Sequence, residues 1–188
     1  VTSKVPAWLA KLLPRSSMTL VEEAWTAPDY RFAVFTNEFL DRKKFHIVLE
    51  SKILNHDRGE SDNVFNLSES DKNARYVDYY DMCDVYKKEV IPASEDLTKL
   101  TLKSIPSTPL TPGWYHTWDE KNISCHYWLL HIDFKYFGLQ TIGENMVYSQ
   151  QCYMNRQVER QMVAAIDSWH ELSMEDIRKL EVKNMEDL

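Results

Sequence analysis

The chain has 188 residues, the length of a single domain, and its 22 Lys and Arg against 29 Asp and Glu give a formal net charge of −7. This acidic balance disfavours nucleic acid as a partner, because phosphate backbones attract basic proteins. No apolar run approaches the roughly 20 residues that span a bilayer, and no signal-peptide pattern opens the sequence. We therefore expect a cytoplasmic protein.

The residue pattern at the start of the chain predicts two short helical segments. Residues 4–13 form an amphipathic segment in which Trp8 shares an apolar stripe with three leucines, and Pro14 ends it. Residues 16–27 predict a second helical turn, and the Pro28-Asp29 pair that follows indicates a turn.

Four stretches predict β-strands. They are residues 30–36, 45–51, 75–85 and 124–136. The first two are rich in aromatic and β-branched side chains, which favour strands. The last is the clearest, because apolar residues such as Trp128 and Leu130 alternate strictly with polar ones such as His131 and Asp133. One face of this strand should be buried and the other wet.

After Gly143 the apolar period changes to that of a helix. The spacing from Val147 to Trp169 predicts a helix of about 25 residues, ending near His170. Ser173 and Asp176 have the spacing of a capping box that opens a further helix. This order of elements predicts an α+β fold, in which an antiparallel sheet wraps around the long C-terminal helix.

Few residue patterns indicate catalysis or metal binding. The glycines form neither a dinucleotide fingerprint nor a phosphate loop, and no signature marks a nucleophilic serine or cysteine, so we expect no enzyme. His131 and Asp133 share a strand face at a spacing that can serve a metal, but the sequence shows no third or fourth ligand. We therefore expect no metal and no cofactor. The three cysteines are odd in number and widely spaced, so we expect them to be free thiols.

Two features leave a functional and a structural interpretation open. Glu181 lies at the edge of the apolar stripe of the last helix, where it either pairs with Arg178 or accepts hydrogen bonds from a ligand's hydroxyls. Tyr136 and Phe137 precede Gly138 at the end of the clearest strand. They either cap that strand beneath the long helix or form an exposed tip that enters a membrane interface.

Five sequence blocks, in order and at nearly constant spacing, resemble the phosphatidylinositol transfer protein family. They read SKVPAWLAKLLP, EEAWTAP, FTNEFL, FKYFGLQ and DSWHELSMEDIRKLE. The resemblance covers essentially the whole chain. It implies a START-like helix-grip fold, in which a curved antiparallel sheet grips one phospholipid against the long C-terminal helix. It also implies that residues 1–188 form one lipid-transfer domain that lacks the family's first strands.

The resemblance further implies a function and its partners. Family members exchange phosphatidylinositol and phosphatidylcholine between membranes without covalent chemistry. The expected partners are a phospholipid and a transient membrane surface, with no nucleic acid and no metal, and the expected location is cytoplasmic. A helix-grip module for a sterol or a fatty acid is the alternative, because Ala33 and Trp128 replace two phosphate-binding residues of the family.

The expected head-group residues are Glu22, Thr26, Arg31, Ser51 and Glu181, of which Thr26 stands where the family has an inositol-binding asparagine. Arg31 stands where the family has cysteine. We hypothesise that its guanidinium offers phosphate a bidentate contact and supplies the charge that is missing at Trp128. The face of Phe32, Val34, Ile47, Leu49, Leu130 and Ile132, with Met154, Val158 and Met162 of the long helix, should line the lipid cavity.

The same resemblance implies residues for membrane contact and regulation. Tyr136 and Phe137 stand where the family has a Trp-Trp pair that docks on membranes, and Trp8 belongs to a lipid-exchange segment that should support docking. Ser104 matches a serine that is a candidate phosphorylation site.

Overall fold

The computed structural model of the chain describes residues 19–87 and 89–186, with side chains up to Asn184. These residues form two compact units. The first comprises the described residues up to Asp78 together with Tyr115–Gln151, and the second comprises Tyr79–Trp114 and the residues from Cys152 onward. No described helix combines the length and the apolar character that a membrane span requires.

The first unit contains a four-stranded antiparallel sheet whose strands lie side by side in chain order. The strands are β1 (Leu20–Ala27), β2 (Tyr30–Asn37), β3 (Phe45–Asn55) and β4 (Ser124–Phe134). Aromatic and β-branched side chains fit such a pleated, half-buried surface, which is why three of the four predicted strands are confirmed.

Strand β1 replaces a predicted helical turn. The helix expected over residues 16–27 is wrong where the structure describes it, because Leu20–Ala27 pairs along its whole length with β2. Helix nucleation is unfavourable in a short segment. A strand that continues through a tight turn into its partner forms a complete ladder of hydrogen bonds instead.

The strand predicted over residues 75–85 is also wrong. Within it, the Asp81 carboxylate accepts hydrogen bonds from the backbone N–H of Cys83 at 2.9 Å and of Gly113 at 2.6 Å. It also accepts one from Trp114 Nε1 at 3.0 Å. These local side-chain bonds compete with a β-ladder, so the aromatic composition of the segment does not decide its structure.

The strand register divides the sheet into two faces. The buried face carries Ala33, Phe45, Ile47 and Leu49, which are at most 6% exposed, and Leu130 and Ile132 lie opposite the last two. The expectation that Phe32 and Val34 share this face is wrong. They lie opposite Glu50 and Val48, on what we call the outer face.

Four α-helices lie among the described residues. They are α1 (Glu69–Ala74), α2 (Gln140–Ala164), α3 (Ile166–Trp169) and α4 (Met174–Glu186). Helix α2 has the predicted 25 residues but ends before His170, because α3 is a separate turn. The predicted capping box is confirmed: Ser173 Oγ accepts from Asp176 N at 3.2 Å, and Ser173 N donates to the Asp176 carboxylate at 3.1 Å.

The start of α2 packs on the end of β4. A Cβ atom on Gly143 would lie 2.5 Å from the Phe134 ring, so this close approach requires glycine. The α+β class is confirmed, with a curved antiparallel sheet followed by a long helix, in the order expected of a helix-grip fold.

The second unit has a small core of its own. Its most buried apolar residues are Cys83, Leu97, Leu102 and Leu110. Burial raises the pKa of the Cys83 thiol to about 12, and the three cysteines are thiols rather than disulfide partners, as predicted. In the part of α2 that belongs to this unit, the buried guanidinium of Arg160 pairs with the buried Glu89 carboxylate. Removing either partner would leave an uncompensated buried charge.

Candidate functional site

A row of four residues, one from each strand, crosses the buried face next to the β1–β2 turn. The row consists of Thr26, Arg31, Ser51 and Trp128, which are successive cross-strand partners. Residues paired in this way project to the same side of a sheet. The fold therefore brings three of the implied head-group residues together, and Glu22 of β1 lies on the same face.

Two nitrogens of this polar row are buried and have no hydrogen-bond partner among the described residues: Arg31 Nε and Trp128 Nε1. Between them lies Ser51, which is 4% exposed. A buried donor without a partner costs about 1–3 kcal/mol, so an external acceptor at these two nitrogens would be stabilising. An anionic oxygen fits best beside a guanidinium.

One other nitrogen of the Arg31 guanidinium bonds to β1. Arg31 Nη2 donates to the Glu22 carboxylate, and the two side chains are 43% and 41% exposed. Water screens a pair of this kind, so it contributes little to stability. The contact instead orients the guanidinium and leaves Nε available to a ligand.

Apolar rows follow the polar row along the same face. The next row holds Ala33, Leu49 and Leu130, and the one after it holds Phe35, Ile47 and Ile132. This face thus has hydrogen-bond donors at one end and aliphatic and aromatic side chains beyond them. That distribution matches an amphiphile with an anionic head and a hydrocarbon tail.

Glu181, the remaining implied head-group residue, belongs to α4 in the second unit and is exposed. Among the described residues no ion pair joins it to Arg178, although Glu175 and Lys179 on the same helix are paired at 2.8 Å. The salt bridge between Glu181 and Arg178, which was the structural alternative, is therefore absent from the described part of the chain.

The two adjacent aromatics after β4 differ in exposure. Phe137 is fully exposed and precedes Gly138, which has a φ of +73°. Tyr136 is half-buried, with its ring 5.3 Å from that of Phe134 and Lys44 Nζ 5.8 Å from its centroid. The exposed aromatic tip is thus Phe137, while Tyr136 anchors the segment. Trp8, the third implied docking residue, lies outside the described residues.

Ser104 contacts the turn of helix that follows α2. Its backbone N–H and that of Lys103 each donate to the Asp167 carboxylate at 2.8 Å, and its Oγ lies 3.2 Å from His170 Nδ1. Hydrogen bonding by the Ser104 side chain and by these two N–H groups lowers the pKa of Asp167 to about 2.

The Asp167 contact predicts a pH-dependent contribution to stability. Because the pKa of Asp167 is lowered by folding, the ionised carboxylate stabilises the native state above about pH 4, and the effect is lost as pH falls towards 2. We expect Asp167→Asn to melt at a lower temperature than the wild type at pH 7, and the gap to close between pH 5 and 2. A gap that is the same at both ends of a thermal-denaturation series would contradict this assignment.

Comparison with known proteins places the chain in a family. The family model described as phosphatidylinositol transfer protein matches residues 1–186. Phosphatidylinositol transfer protein 1 of Dictyostelium discoideum is 33% identical over 99% of this chain and 70% of its own length. The beta isoform of the rat phosphatidylinositol transfer protein is 31% identical, again over 99% of this chain and 70% of its own.

The matching relatives are all named as lipid transfer proteins, and the chain belongs to the phosphatidylinositol transfer protein family. The resemblance in the sequence is thereby confirmed. A longer relative, membrane-associated phosphatidylinositol transfer protein 2 of Homo sapiens, is 33% identical over 94% of this chain. The match spans only 13% of that protein.

Proposed function

We propose that this protein binds one phospholipid, phosphatidylinositol or phosphatidylcholine, and carries it between membranes. The observation that carries the proposal is the pair of unpartnered donors, Arg31 Nε and Trp128 Nε1, at the head of an apolar sheet face. The names of the relatives, all phosphatidylinositol transfer proteins, support it.

The polar row supplies the chemistry that a phosphodiester requires. Arg31 offers positive charge and a directional N–H, Trp128 offers a second N–H, and Ser51 offers a hydroxyl between them. Charge-assisted hydrogen bonds to an anion are about twice as strong as neutral ones. Glu22, and Glu181 as the resemblance implies, would accept hydrogen bonds from the hydroxyls of an inositol ring.

The acyl chains explain why a carrier is needed. Each methylene that leaves hydrocarbon for water costs about 0.8 kcal/mol, so a lipid with two chains crosses water slowly unless a protein shelters the tails. The apolar rows of the buried face provide such a surface. Phe137 would enter the membrane interface during exchange, because a fully exposed phenyl ring gains free energy when it leaves water.

A carrier of this kind performs no covalent chemistry, so we propose that the protein is not an enzyme. It would be a cytoplasmic protein that attaches to membranes only peripherally. The net charge of −7 opposes a long residence on anionic lipid, which suits brief docking.

The polar row does not favour a sterol carrier. A sterol has one neutral hydroxyl, which cannot satisfy the charge of Arg31 and the N–H of Trp128 together. A fatty-acid carboxylate could accept from the same donors, and a fatty-acid carrier is not favoured because the relatives are all named phosphatidylinositol transfer proteins. The test is a vesicle assay in which donor liposomes contain fluorescent phosphatidylinositol, phosphatidylcholine, cholesterol or fatty acid. The proposal expects transfer of the phospholipids. Transfer of cholesterol or fatty acid alone would contradict it.

We also propose that Ser104 is a phosphorylation site. A phosphate on Ser104 Oγ would lie beside the Asp167 carboxylate and repel it, weakening the contact between Ser104 and the helix turn that carries Asp167. Ser104→Glu should therefore melt below Ser104→Ala in a thermal scan at pH 7. Equal melting temperatures would show that negative charge at this position is tolerated.

A further inference from the structure

Three metal-ligating side chains converge on the outer face of the sheet. They are His46 of β3 and His131 and Asp133 of β4. His46 is the direct cross-strand partner of Asp133, and His131 lies two residues away on the same face. The sequence pattern showed only the pair on β4, and the register of the β3–β4 ladder supplies the third ligand.

The distances suit a small cation. His46 Nε2 lies 3.4 Å from Asp133 Oδ2, and His131 Nε2 lies 3.9 Å from Asp133 Oδ1. The potential ligand atoms of the three residues all lie within 4.8 Å of one another. Metal–ligand bonds of about 2.0–2.1 Å in a tetrahedron place ligand atoms roughly 3.3 Å apart, so small side-chain rotations close the set.

His46 is already oriented as a ligand. Its Nδ1 lies 3.2 Å from the backbone carbonyl oxygen of Arg42. Because a carbonyl oxygen only accepts, the neutral tautomer that fits this contact donates from Nδ1, which leaves the lone pair on Nε2, facing Asp133. A backbone carbonyl behind the ligating ring is the usual outer partner of a metal-bound histidine.

We propose that His46, His131 and Asp133 bind a divalent transition-metal ion, with zinc as the ion to test. Two imidazoles and a carboxylate are a ligand set that such ions accept, with water completing the coordination. The ion would join β3 to β4 on the face opposite the polar row. The bound ion would lie near the end of β4, the strand that precedes Phe137.

Lys135 is the competitor that this site must displace. Its Nζ lies 2.8 Å from Asp133 Oδ2, and its side chain is 54% exposed. An exposed lysine can swing into water at a free-energy cost of about 1 kcal/mol or less. The affinity for metal should therefore rise severalfold in Lys135→Met, which removes the competing charge and leaves all three ligands.

The experiment is equilibrium dialysis of the full chain, without an affinity tag and freed of metal by a chelator, against zinc chloride. We expect saturable binding of one ion per chain. His131→Ala should weaken it about tenfold or more, since even outer-shell changes have effects of this size. His131 is exposed, so this variant should fold, and His116→Ala removes an exposed histidine elsewhere in the same unit as the matched control.

Cobalt provides a second measurement on the same protein. Bound by the three ligands and water, cobalt should show the intense visible bands of a tetrahedral ion, and these should be lost in His46→Ala and in Asp133→Asn. Zinc should also raise the melting temperature of the wild type, because a ligand that binds only the native state stabilises it. Three results would each overturn the proposal: absence of saturable binding, equal affinity in the wild type and His131→Ala, or a cobalt spectrum that remains that of the hydrated ion.

Discussion

Arg31→Ala is expected to lower phospholipid binding by about tenfold to a hundredfold. A hydrogen bond to a charged group contributes about 1.5–3 kcal/mol, and each 1.4 kcal/mol corresponds to a factor of ten in affinity. Arg31 supplies both the positive charge of the polar row and an unpartnered N–H. Binding is measured with a fluorescent phosphatidylcholine or phosphatidylinositol analogue whose emission changes on uptake from vesicles.

The chain offers a matched control for this variant. Arg42 is also an exposed arginine that faces a β1 glutamate, since its Nη2 lies 3.9 Å from Glu23 Oε1. Glu23 is on the outer face, away from the polar row, so Arg42→Ala should bind lipid like the wild type. Arg31→Lys keeps the charge but loses the Nε donor and should show an intermediate affinity. Equal binding by Arg31→Ala and Arg42→Ala would remove Arg31 from the site.

Phe137→Ala is expected to slow transfer between vesicles by about tenfold while the protein keeps its bound lipid. Burying a phenylalanine side chain is worth about 1.5–3 kcal/mol, so its loss reduces membrane partitioning by roughly that amount. Tyr136 is unsuitable for this test, because its half-buried ring packs on Phe134 and its removal would disturb the strand end. Phe137→Asp should reduce transfer further by placing a charge at the membrane interface.

Two further variants separate docking from general surface apolarity. Phe39 is 51% exposed in the same unit and has no assigned part in docking, so Phe39→Ala should transfer lipid normally. Phe137→Trp should transfer at least as fast as the wild type, because indole favours the membrane interface. Sedimentation with liposomes should rank the variants in the same order as transfer. Unchanged transfer by Phe137→Ala would remove this residue from the docking surface.

Strand β4 was predictable because apolar and polar residues alternate along it, and β3 because it is rich in aromatic and β-branched residues. The sequence did not predict which face of β2 is buried, because both faces carry apolar side chains. Phe32 and Val34 lie on one face, and Ala33 and Phe35 lie on the other. A strand without alternation leaves its register undefined until its partners are known. This is why Phe32 and Val34 were assigned to the wrong face.

The candidate sites illustrate the same limit. Thr26 and Ser51 were placed by the family resemblance, and Arg31 was proposed because its charge could replace the lysine missing at Trp128. The unpartnered nitrogens that give the row its chemistry depend on side-chain packing. His46 occupies a polar position in a predicted strand, like many surface histidines. Only its pairing with Asp133, far along the chain, brings it beside His131 and Asp133 as the third residue of the proposed metal site. Long-range register is a property of the fold that local patterns do not encode.

Native mass spectrometry of the purified protein, followed by extraction and fragmentation of whatever is bound, tests the lipid-carrier function most directly. The protein isolated from cells should carry a single molecule with the mass of a glycerophospholipid, released only when the chain unfolds, and Arg31→Ala should be recovered largely empty. Recovery of a sterol, of a fatty acid or of lipid-free protein in contact with phospholipid vesicles would contradict the proposal.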